Sequence, residues 1–313
     1  MKELLRAIDK AVEDRNAGQS ERYYLGGSVI GSACLRQIWY GFRGARRARF
    51  SGRILRLFER GHLEEFRFVR YLRAAGYEVR DHSQRLMYHS GSDSYACIDW
   101  DADDDRAWIE CDDVSEDQAH LERAARRGQG PKQWAFRDGH FGGHADGMIR
   151  GPHLPAGWGL QEFKTHGEKS FVDLEKKGIV SSKLSHWLQM QIYMGFLGLS
   201  WGLYLAVNKN TDALYAEIVQ FRPEIFEQYR ELAHRVIASP TAPDRLSNDA
   251  SWFACRFCDY REICHYAQKP EKNCRSCTMV RPDPDGTWYC QQHHGTLPTD
   301  FIKQGCAQWD PIK

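Results

Sequence analysis

Two neighbouring stretches of the sequence decide the fold: GGHADGMI at 142–149 and WGLQEFKTH at 158–166. Side chains alternate between the two faces of a strand, so Glu162 and Lys164 emerge on one face of the second stretch. Asp146 lies in the first stretch, and the link RGPHLPAG between the two is rich in turn residues. The pattern predicts a hairpin in which Asp146 and Glu162 are neighbours on one face.

Two carboxylates in such a position repel each other unless a cation lies between them, and Mg²⁺ or Mn²⁺ suits hard oxygen ligands. The alternative is a surface salt bridge between Glu162 and Lys164 on an edge strand, but the flanking Leu160 and Phe163 argue against full exposure. A second E-x-K tripeptide at 175–177 lies in a lysine-rich segment with helical character. The strand context and the upstream aspartate distinguish the first tripeptide as a candidate metal site.

A long helix predicted over 52–75 offers a third carboxylate. Its Glu65 lies on an otherwise apolar stripe, and a buried carboxylate needs a partner. A third metal ligand explains Glu65, and a core salt bridge to an arginine is the alternative. The adjacent His62 and Glu64 leave the choice of ligand open. The apolar residues of the stripe are Leu55, Phe58, Val69 and Leu72.

A helix predicted over 183–199 carries Gln189 and Tyr193, which are four residues apart and share one helix face. These side chains are candidates to hydrogen-bond a phosphate or to support Lys164, with ordinary helix packing as the alternative. Positions 187–207 contain no charged residue and are long enough to cross a bilayer. The glutamines and glycines within them favour a helix followed by a buried strand, and no membrane contact is expected.

The ten cysteines of the chain are concentrated at one end, with seven in the last 59 residues. The charged opening MKELLRAIDK is not expected to act as a secretory signal, so metal binding is favoured over disulfides. Spacing separates two groups: Cys255-x2-Cys258-x5-Cys264, and Cys274-x2-Cys277-x12-Cys290-x15-Cys306.

The first group holds three cysteines and needs a fourth ligand from elsewhere. Cys34, on a helix predicted over 28–43, is the candidate, whereas Cys97 and Cys111 are interpreted as ordinary thiols. Three clustered cysteines and a distant fourth fit a [4Fe–4S] cluster, with zinc as the competing interpretation.

The second group holds four cysteines, which suffice for a closed tetrahedral zinc site. His293 and His294 are alternative ligands, and free thiols in a loop-rich tail are the alternative interpretation.

Composition narrows the class of protein. The chain has 313 residues, enough for one large domain or two, and a formal net charge of +1 that excludes a bulk cationic coat. The 42% hydrophobic content excludes a disordered chain. A cytoplasmic protein is expected. Local basic clusters at 43–49, 169–177 and Lys183, with Trp39 and Tyr40 nearby, are candidate nucleic-acid contacts.

The order Glu65, Asp146, Glu162-Phe163-Lys164, Gln189-x3-Tyr193 resembles the PD-(D/E)xK nuclease superfamily in its RecB-like exonuclease branch. With Cys34 and the first cysteine group added, the chain resembles the CRISPR-associated (Cas4-type) iron–sulfur exonucleases and the nuclease domain of AddB. One departure is Gly61-x3-Glu65, where a histidine is frequent in the family. Glutamate there is similar to the lambda-type phage exonucleases. The second cysteine group lies outside the usual pattern and suggests a phage or prophage variant.

The resemblance implies an α/β fold with a restriction-endonuclease-like core, in which a mixed central sheet is flanked by helices. The implied organisation is an N-terminal helical region over 1–50, a nuclease core over 51–238 with an insertion near 90–130, an iron–sulfur region over 245–268 and a zinc-binding tail over 270–313.

The implied activity is that of an Mg²⁺- or Mn²⁺-dependent DNA exonuclease in phage recombination, repair or CRISPR-related DNA processing. Glu65, Asp146, Glu162 and the Phe163 carbonyl would hold the metal, Lys164 would orient water and offset charge, and Gln189 and Tyr193 would position the strand. The implied partners are single-stranded DNA or duplex ends and a single-strand annealing or other recombination protein, in the host cytoplasm if phage-encoded. The alternatives are a non-catalytic iron–sulfur and zinc nucleic-acid-binding protein, a redox protein, a nuclease for RNA, or a structure-selective endonuclease.

Overall fold

A computed structural model describes residues 1–17, 22–47, 49–81, 84–89, 94–99, 108–110 and 134–313. These residues divide into two compact units, each of which is discontinuous in sequence. The first unit comprises Met1–Leu57, Arg137–Gly142 and Glu224–Lys313, and the second comprises Phe58–Phe136 and Gly143–Pro223.

The helices are, in chain order, α1 Lys2–Asn16, α2 Leu35–Phe42, α3 Gly52–Ala74, α4 Glu168–Ser182, α5 Leu184–Leu197, α6 Pro223–Ala238, α7 Phe253–Arg256, α8 Arg261–Tyr266 and α9 Thr299–Ile302. The described helices include none with the length and apolar character needed to cross a membrane.

The strands are β1 Leu25–Gly26, β2 Glu78–Asp81, β3 Gln84–His89, β4 Ser94–Asp99, β5 Trp108–Glu110, β6 Trp134–Asp138, β7 Phe141–Ala145, β8 Gly147–Arg150, β9 Gly159–His166, β10 Trp201–Asn208, β11 Leu214–Gln220, β12 Val280–Pro282, β13 Trp288–Cys290 and β14 Gly295–Thr296.

A mixed five-stranded sheet organises the second unit, with the strand order β11-β10-β9-β8-β2. β9 and β10 are parallel, with Glu162 opposite Tyr204, and the remaining neighbours are antiparallel. Parallel neighbours need a long crossover connection, and α4 and α5 supply it. The observed α/β architecture, with a mixed sheet and flanking helices, agrees with the predicted core.

The two faces of this sheet have different roles. On one face, Phe163, Ile149 and Val79 pack in a hydrophobic core with Phe68 and Val69 of α3. The rings of Phe68 and Phe163 are 5.1 Å apart. The other face carries the alternate residues of β9, and α5 contacts it there. A core on one face thus leaves the other face for polar chemistry.

The first unit joins the N-terminal segments to the cysteine-rich end of the chain. Leu25 of β1 pairs in parallel with Phe141, and β12, β13 and β14 form a small antiparallel sheet. Trp288 of β13 is buried, and its ring lies 4.9 Å from that of Phe42, the last residue of α2. The small sheet therefore packs on α2.

Several sequence predictions need correction. The helix predicted over 28–43 begins only at Leu35, because Gly27–Val29 forms a separate 3₁₀ turn and Cys34 caps α2 with an extended backbone. Phe58, expected on the buried stripe of α3, is 47% exposed. The helix α1, in the predicted N-terminal helical region, buries none of its side chains. The predicted insertion at 90–130 lies outside the described residues except for β4 and β5, as do the side chains of Cys97 and Cys111.

Candidate active site

Asp146 sits at a break between β7 and β8, opposite Glu162. The next residue, Gly147, has φ +143°, a conformation that side-chain-bearing residues rarely adopt. Gly147 pairs with Gln161 in the antiparallel ladder, which confirms the predicted hairpin. Asp146 then turns back onto β9, where its Oδ2 accepts a hydrogen bond of 3.0 Å from the Phe163 amide. Local backbone geometry thus holds the first carboxylate against the second strand.

Glu162 is fully buried, and its two carboxylate oxygens have different surroundings. Oε1 accepts hydrogen bonds from the Lys164 ammonium and, at 2.8 Å, from Gln189 Nε2. Oε2 is also buried but has no hydrogen-bond partner among the described residues. Burial raises the pKa of Glu162 to about 7, repulsion from Asp146 and Glu65 adds to the rise, and Lys164 opposes it. The positive charge of Lys164 therefore compensates the Glu162 carboxylate only in part.

Lys164 is held by the groups that surround it. Its Nζ contacts Glu162 and donates a hydrogen bond of 3.2 Å to the Phe163 carbonyl. Burial alone would lower the pKa of Lys164, but attraction to Glu162 and Asp146 outweighs it and raises the pKa above its ordinary value. The side chain is therefore cationic at neutral pH and suited to offset negative charge.

α3 brings Glu65 toward the same carboxylates. The Glu65 carboxylate lies 3.5 Å from His62 Nδ1. That hydrogen bond raises the pKa of His62 against the effect of burial, and Asp146 contributes to the rise. The neighbouring Glu64 instead pairs with Arg67 at 2.9 Å. Of the two adjacent glutamates, the structure thus places Glu65 beside the site.

The two predicted residues of α5 have different surroundings. Gln189 hydrogen-bonds Glu162 directly. The Tyr193 side chain is buried, and its ring packs edge-on against Phe136 at a centroid distance of 4.9 Å. A Cβ on Gly143 would meet the same tyrosine ring at 2.8 Å. Tyr193 therefore serves the packing of α5 against Phe136 and Gly143.

Three residues absent from the sequence-based site form a hydrogen-bond chain behind Lys164. His166 Nε2 lies 2.8 Å from the Tyr204 hydroxyl, and His186 Nδ1 lies 2.9 Å from the same oxygen. Burial, followed by nearby lysines, lowers the pKa of His166 to about 4 and that of His186 to about 3. Both imidazoles are neutral at pH 7. The spacing did contain a signal, since His166 lies two residues after Lys164 and His186 three before Gln189.

The carboxylates of the site do not by themselves form a complete metal site. Among the described residues, no three His, Cys, Asp or Glu side chains stand in an arrangement that holds a single metal ion. The chemistry of the set nevertheless fits a hard cation, because Glu162 Oε2 is buried without a donor while Asp146 and Glu65 lie near enough to raise the Glu162 pKa. A bound cation would give Glu162 Oε2 a partner and would lower the pKa of Glu162.

The cysteines gather as two sets within the first unit. Cys34, Cys255, Cys258 and Cys264 line one cavity, next to Tyr40 and Tyr260. A second cavity is lined by Cys274, Cys277, Cys290 and Cys306, together with His293. Burial raises the pKa of Cys255, Cys258 and Cys274, and neighbouring thiols of the same set raise it further. These thiols are therefore protonated at neutral pH in the absence of a cation.

The prediction that the basic cluster at 43–49 contacts nucleic acid needs a partial correction. Arg43 is fully buried and donates hydrogen bonds to backbone carbonyls, so it is no nucleic-acid contact. Trp39 and Tyr40 are buried as well and serve packing. Arg46 and Arg47 are exposed, and their guanidinium groups hydrogen-bond the carbonyls of Asp259 and Lys303.

The hydrogen bond from Gln189 to Glu162 predicts a measurable effect on the site. In Gln189→Leu, Oε1 loses its neutral donor and Glu162 loses an orienting contact. Loss of one orienting hydrogen bond of this kind is worth about 1–1.5 kcal/mol, so we expect the turnover of any reaction at this site to fall about tenfold. Gln191→Leu on the same helix is the comparison, since Gln191 bonds the Gln220 carbonyl instead. Equal losses in the two variants would assign the effect to packing of α5.

Comparison with known proteins gives limited similarity. No protein-family model and no curated protein sequence matches the chain. The chain is similar to the crystal structure of SSO0001 (TM-score 0.41, 12% identity, covering 83% of this chain and 95% of the other). It is also similar to an alkaline exonuclease from Laribacter hongkongensis (0.38, 12%, 74% and 91%), in a structure of that enzyme in complex with dAMP. At TM-scores below 0.5, these similarities establish no family for the chain.

Proposed function

We propose that the protein is a divalent-metal-dependent nuclease that hydrolyses phosphodiester bonds of DNA. The observation that carries the proposal is the buried Glu162 carboxylate, with one oxygen bound by Lys164 and Gln189 and the other without a donor. Asp146 and Glu65 crowd the same carboxylate with negative charge. A buried acidic group beside a lysine suits metal-assisted hydrolysis and has no evident value for stability.

In this proposal each side chain has a definite task. Asp146, Glu162, Glu65 and the Phe163 carbonyl hold one or two Mg²⁺ or Mn²⁺ ions. When bound, such a cation supplies Lewis-acid activation of water and of the phosphate. Lys164 keeps its proton and offsets charge that develops on the phosphate oxygens in the transition state. Gln189 fixes the orientation of Glu162, and Tyr193 helps to position the DNA strand by packing beside the site.

The proposed cofactors also include a [4Fe–4S] cluster on Cys34, Cys255, Cys258 and Cys264 and a Zn²⁺ ion on Cys274, Cys277, Cys290 and Cys306. The lining of one cavity by each set supports this division. The iron–sulfur centre would be structural, because it joins Cys34 to three cysteines more than 200 positions away. The zinc ion would hold together the short segment between Cys274 and Cys306. Iron, sulfide and zinc analysis of anaerobically purified protein tests the assignment: about four iron atoms and one zinc per chain are expected.

The proposed exonuclease action, in recombination, repair or CRISPR-related processing beside a single-strand annealing protein, rests on the sequence resemblance. The test incubates anaerobically purified full-length protein with end-labelled single- and double-stranded DNA in Mg²⁺, Mn²⁺ or EDTA. We expect degradation with either metal and none with EDTA, and the release of label identifies the polarity and separates exonuclease from endonuclease action. A folded, metal-replete protein that leaves all substrates intact contradicts the proposal and favours a binding role.

The raised pKa of Glu162 predicts a pH-dependent affinity for the metal. A cation competes with a proton for this carboxylate, so binding is weak below the pKa of about 7 and strong above it. Between pH 5.5 and 6.5 we expect the Kd for Mn²⁺ to fall about tenfold, levelling off above pH ~7.5. Calorimetric titration with Mn²⁺ measures this. Glu162→Gln is expected to bind weakly at every pH, and an unchanged pH profile in that variant would exclude Glu162 as the titrating ligand.

A further inference from the structure

A second feature of the five-stranded sheet is a tryptophan with two arginines against its ring. The guanidinium carbon of Arg80 lies 4.4 Å from the Trp158 ring centroid, and that of Arg150 lies 4.6 Å from it. Both distances are within the range of a cation–π contact. Two like charges at one ring repel each other, and the Glu78 carboxylate offsets that of Arg150 alone.

The hydrogen-bond register places this cluster on the sheet face that carries Glu162. Val79 and Ile149 are partners across β2 and β8 and point into the core under α3. Arg80 and Arg150, each one residue further along its strand, therefore point to the opposite face. Trp158 immediately precedes β9 and shares the alternation of Glu162. Four residues of strand separate Trp158 from Glu162, which corresponds to about 13 Å.

The chemistry of the cluster favours phosphate. Contact with the indole restrains both guanidinium groups, and the N–H groups of an arginine suit bidentate contacts with an oxyanion. Arg150 pairs with Glu78 at 2.6 Å, but this ion pair is largely exposed, at 46% and 62% of the two side chains. Within the described parts of the chain, Arg80 has the Trp158 ring as a partner and no acceptor for its N–H groups. One net positive charge thus remains for a ligand.

We propose that Arg80, Arg150 and Trp158 form a phosphate-binding subsite that holds the DNA strand a few nucleotides away from the hydrolysed bond. The inference rests on the proposed nuclease function, because a subsite about 13 Å from Glu162 along β9 is useful only if the DNA strand is hydrolysed at Glu162. Arg80 and Arg150 grip the backbone, and Trp158 keeps both side chains in place. The subsite acts on long substrates and leaves the chemistry at Glu162 and Lys164 untouched.

The test uses full-length protein and the double variant Arg80→Gln/Arg150→Gln. Fluorescence anisotropy with a labelled single-stranded 20-mer gives Kd over a salt series. We expect Kd to rise at least about tenfold and the slope of log K against log salt to become shallower by about 1.4, the value for two phosphate contacts on a single strand. Arg70→Gln is the matched control, because Arg70 also stacks on an aromatic ring, that of Tyr71, but belongs to α3.

A small phosphodiester, bis(p-nitrophenyl) phosphate, separates this inference from the nuclease proposal. It reaches Glu162 but not the subsite, so its hydrolysis is expected to be equal in wild type and double variant, while KM for DNA rises. Absence of hydrolysis of both substrates in wild type contradicts the nuclease proposal, and the salt slope then still decides the subsite. Equal Kd and slope in wild type and variant, or no DNA binding by wild type, overturns the subsite. If the double variant does not fold, Arg80→Gln alone, with an expected slope change of about 0.7, replaces it.

Discussion

Lys164→Met is expected to lower kcat for the proposed DNA hydrolysis about 10³-fold, because in the proposed mechanism it removes the cation that offsets charge on the phosphate. The structure makes the loss specific: Lys164 contacts Glu162 and the Phe163 carbonyl, and the pKa of its ammonium group is raised by the surrounding carboxylates. Mn²⁺ binding is expected to survive at pH 8. Since Lys164 lowers the pKa of Glu162, its loss raises that pKa, and metal binding shifts to higher pH. Single-turnover kinetics and Mn²⁺ titration on one preparation measure both effects.

The chain contains its own control for this experiment. Lys177 completes the second E-x-K tripeptide, is 57% exposed and pairs with Asp173 at 2.7 Å on α4. Lys177→Met removes the same charge at a distance from the site and is expected to leave kcat within twofold. If the 169–177 cluster contacts DNA, the effect of this substitution is expected in KM. Asp146→Asn completes the comparison, because it should lose Mn²⁺ binding and activity together. Activity of Lys164→Met within tenfold of wild type would contradict a catalytic role for this lysine.

Arg43→Met is expected to destabilise the first unit by about 3 kcal/mol or more. Arg43 is fully buried at the end of α2, where burial lowers its pKa to about 10. Its Nε donates to the Arg275 carbonyl at 2.6 Å, and one of its terminal nitrogens donates to the carbonyls of Cys277 and Val280 at 2.7 and 3.0 Å. Methionine fills the space but replaces none of these hydrogen bonds: the Arg275 carbonyl loses its donor, while the Cys277 and Val280 carbonyls keep the Val280 amide and the Arg281 guanidinium. The loss of three charge-assisted hydrogen bonds is the larger part of the expected cost.

Thermal unfolding of the metal-replete protein measures this effect, with zinc analysis on the same samples. We expect a lower Tm and, if the second cysteine set holds zinc as proposed, faster zinc release with a chelator, because the carbonyls of Arg275 and Cys277 belong to the Cys274–Cys277 turn. Arg46→Met is the matched control: Arg46 is exposed and hydrogen-bonds the Asp259 carbonyl, so its loss should cost less than about 1 kcal/mol. Equal Tm values for the two variants would exclude the proposed role of Arg43.

Local sequence patterns predicted the structure correctly where residues close together in the chain determine it. The helices predicted over 52–75 and 183–199 form as Gly52–Ala74 and Leu184–Leu197. The hairpin that brings Asp146 to β9 forms as expected, because strand alternation and a turn-rich link act over a short stretch of chain. Gln189 likewise reaches Glu162. The proximity of the candidate site residues therefore follows largely from the sequence.

Tertiary packing determined which partners a side chain has, which strand alternation and residue spacing could not predict. A sequence shows that Arg43 is basic, but only the fold buries it among carbonyls more than 230 positions away. The same holds for the choice of Glu65 over Glu64, because the two are adjacent on α3 and the packing of that helix on the sheet selects between them. Arg80 and Trp158 meet through pairing of three strands. Periodicity fixes the face on which a side chain emerges, whereas its partners depend on contacts between segments that are distant in sequence.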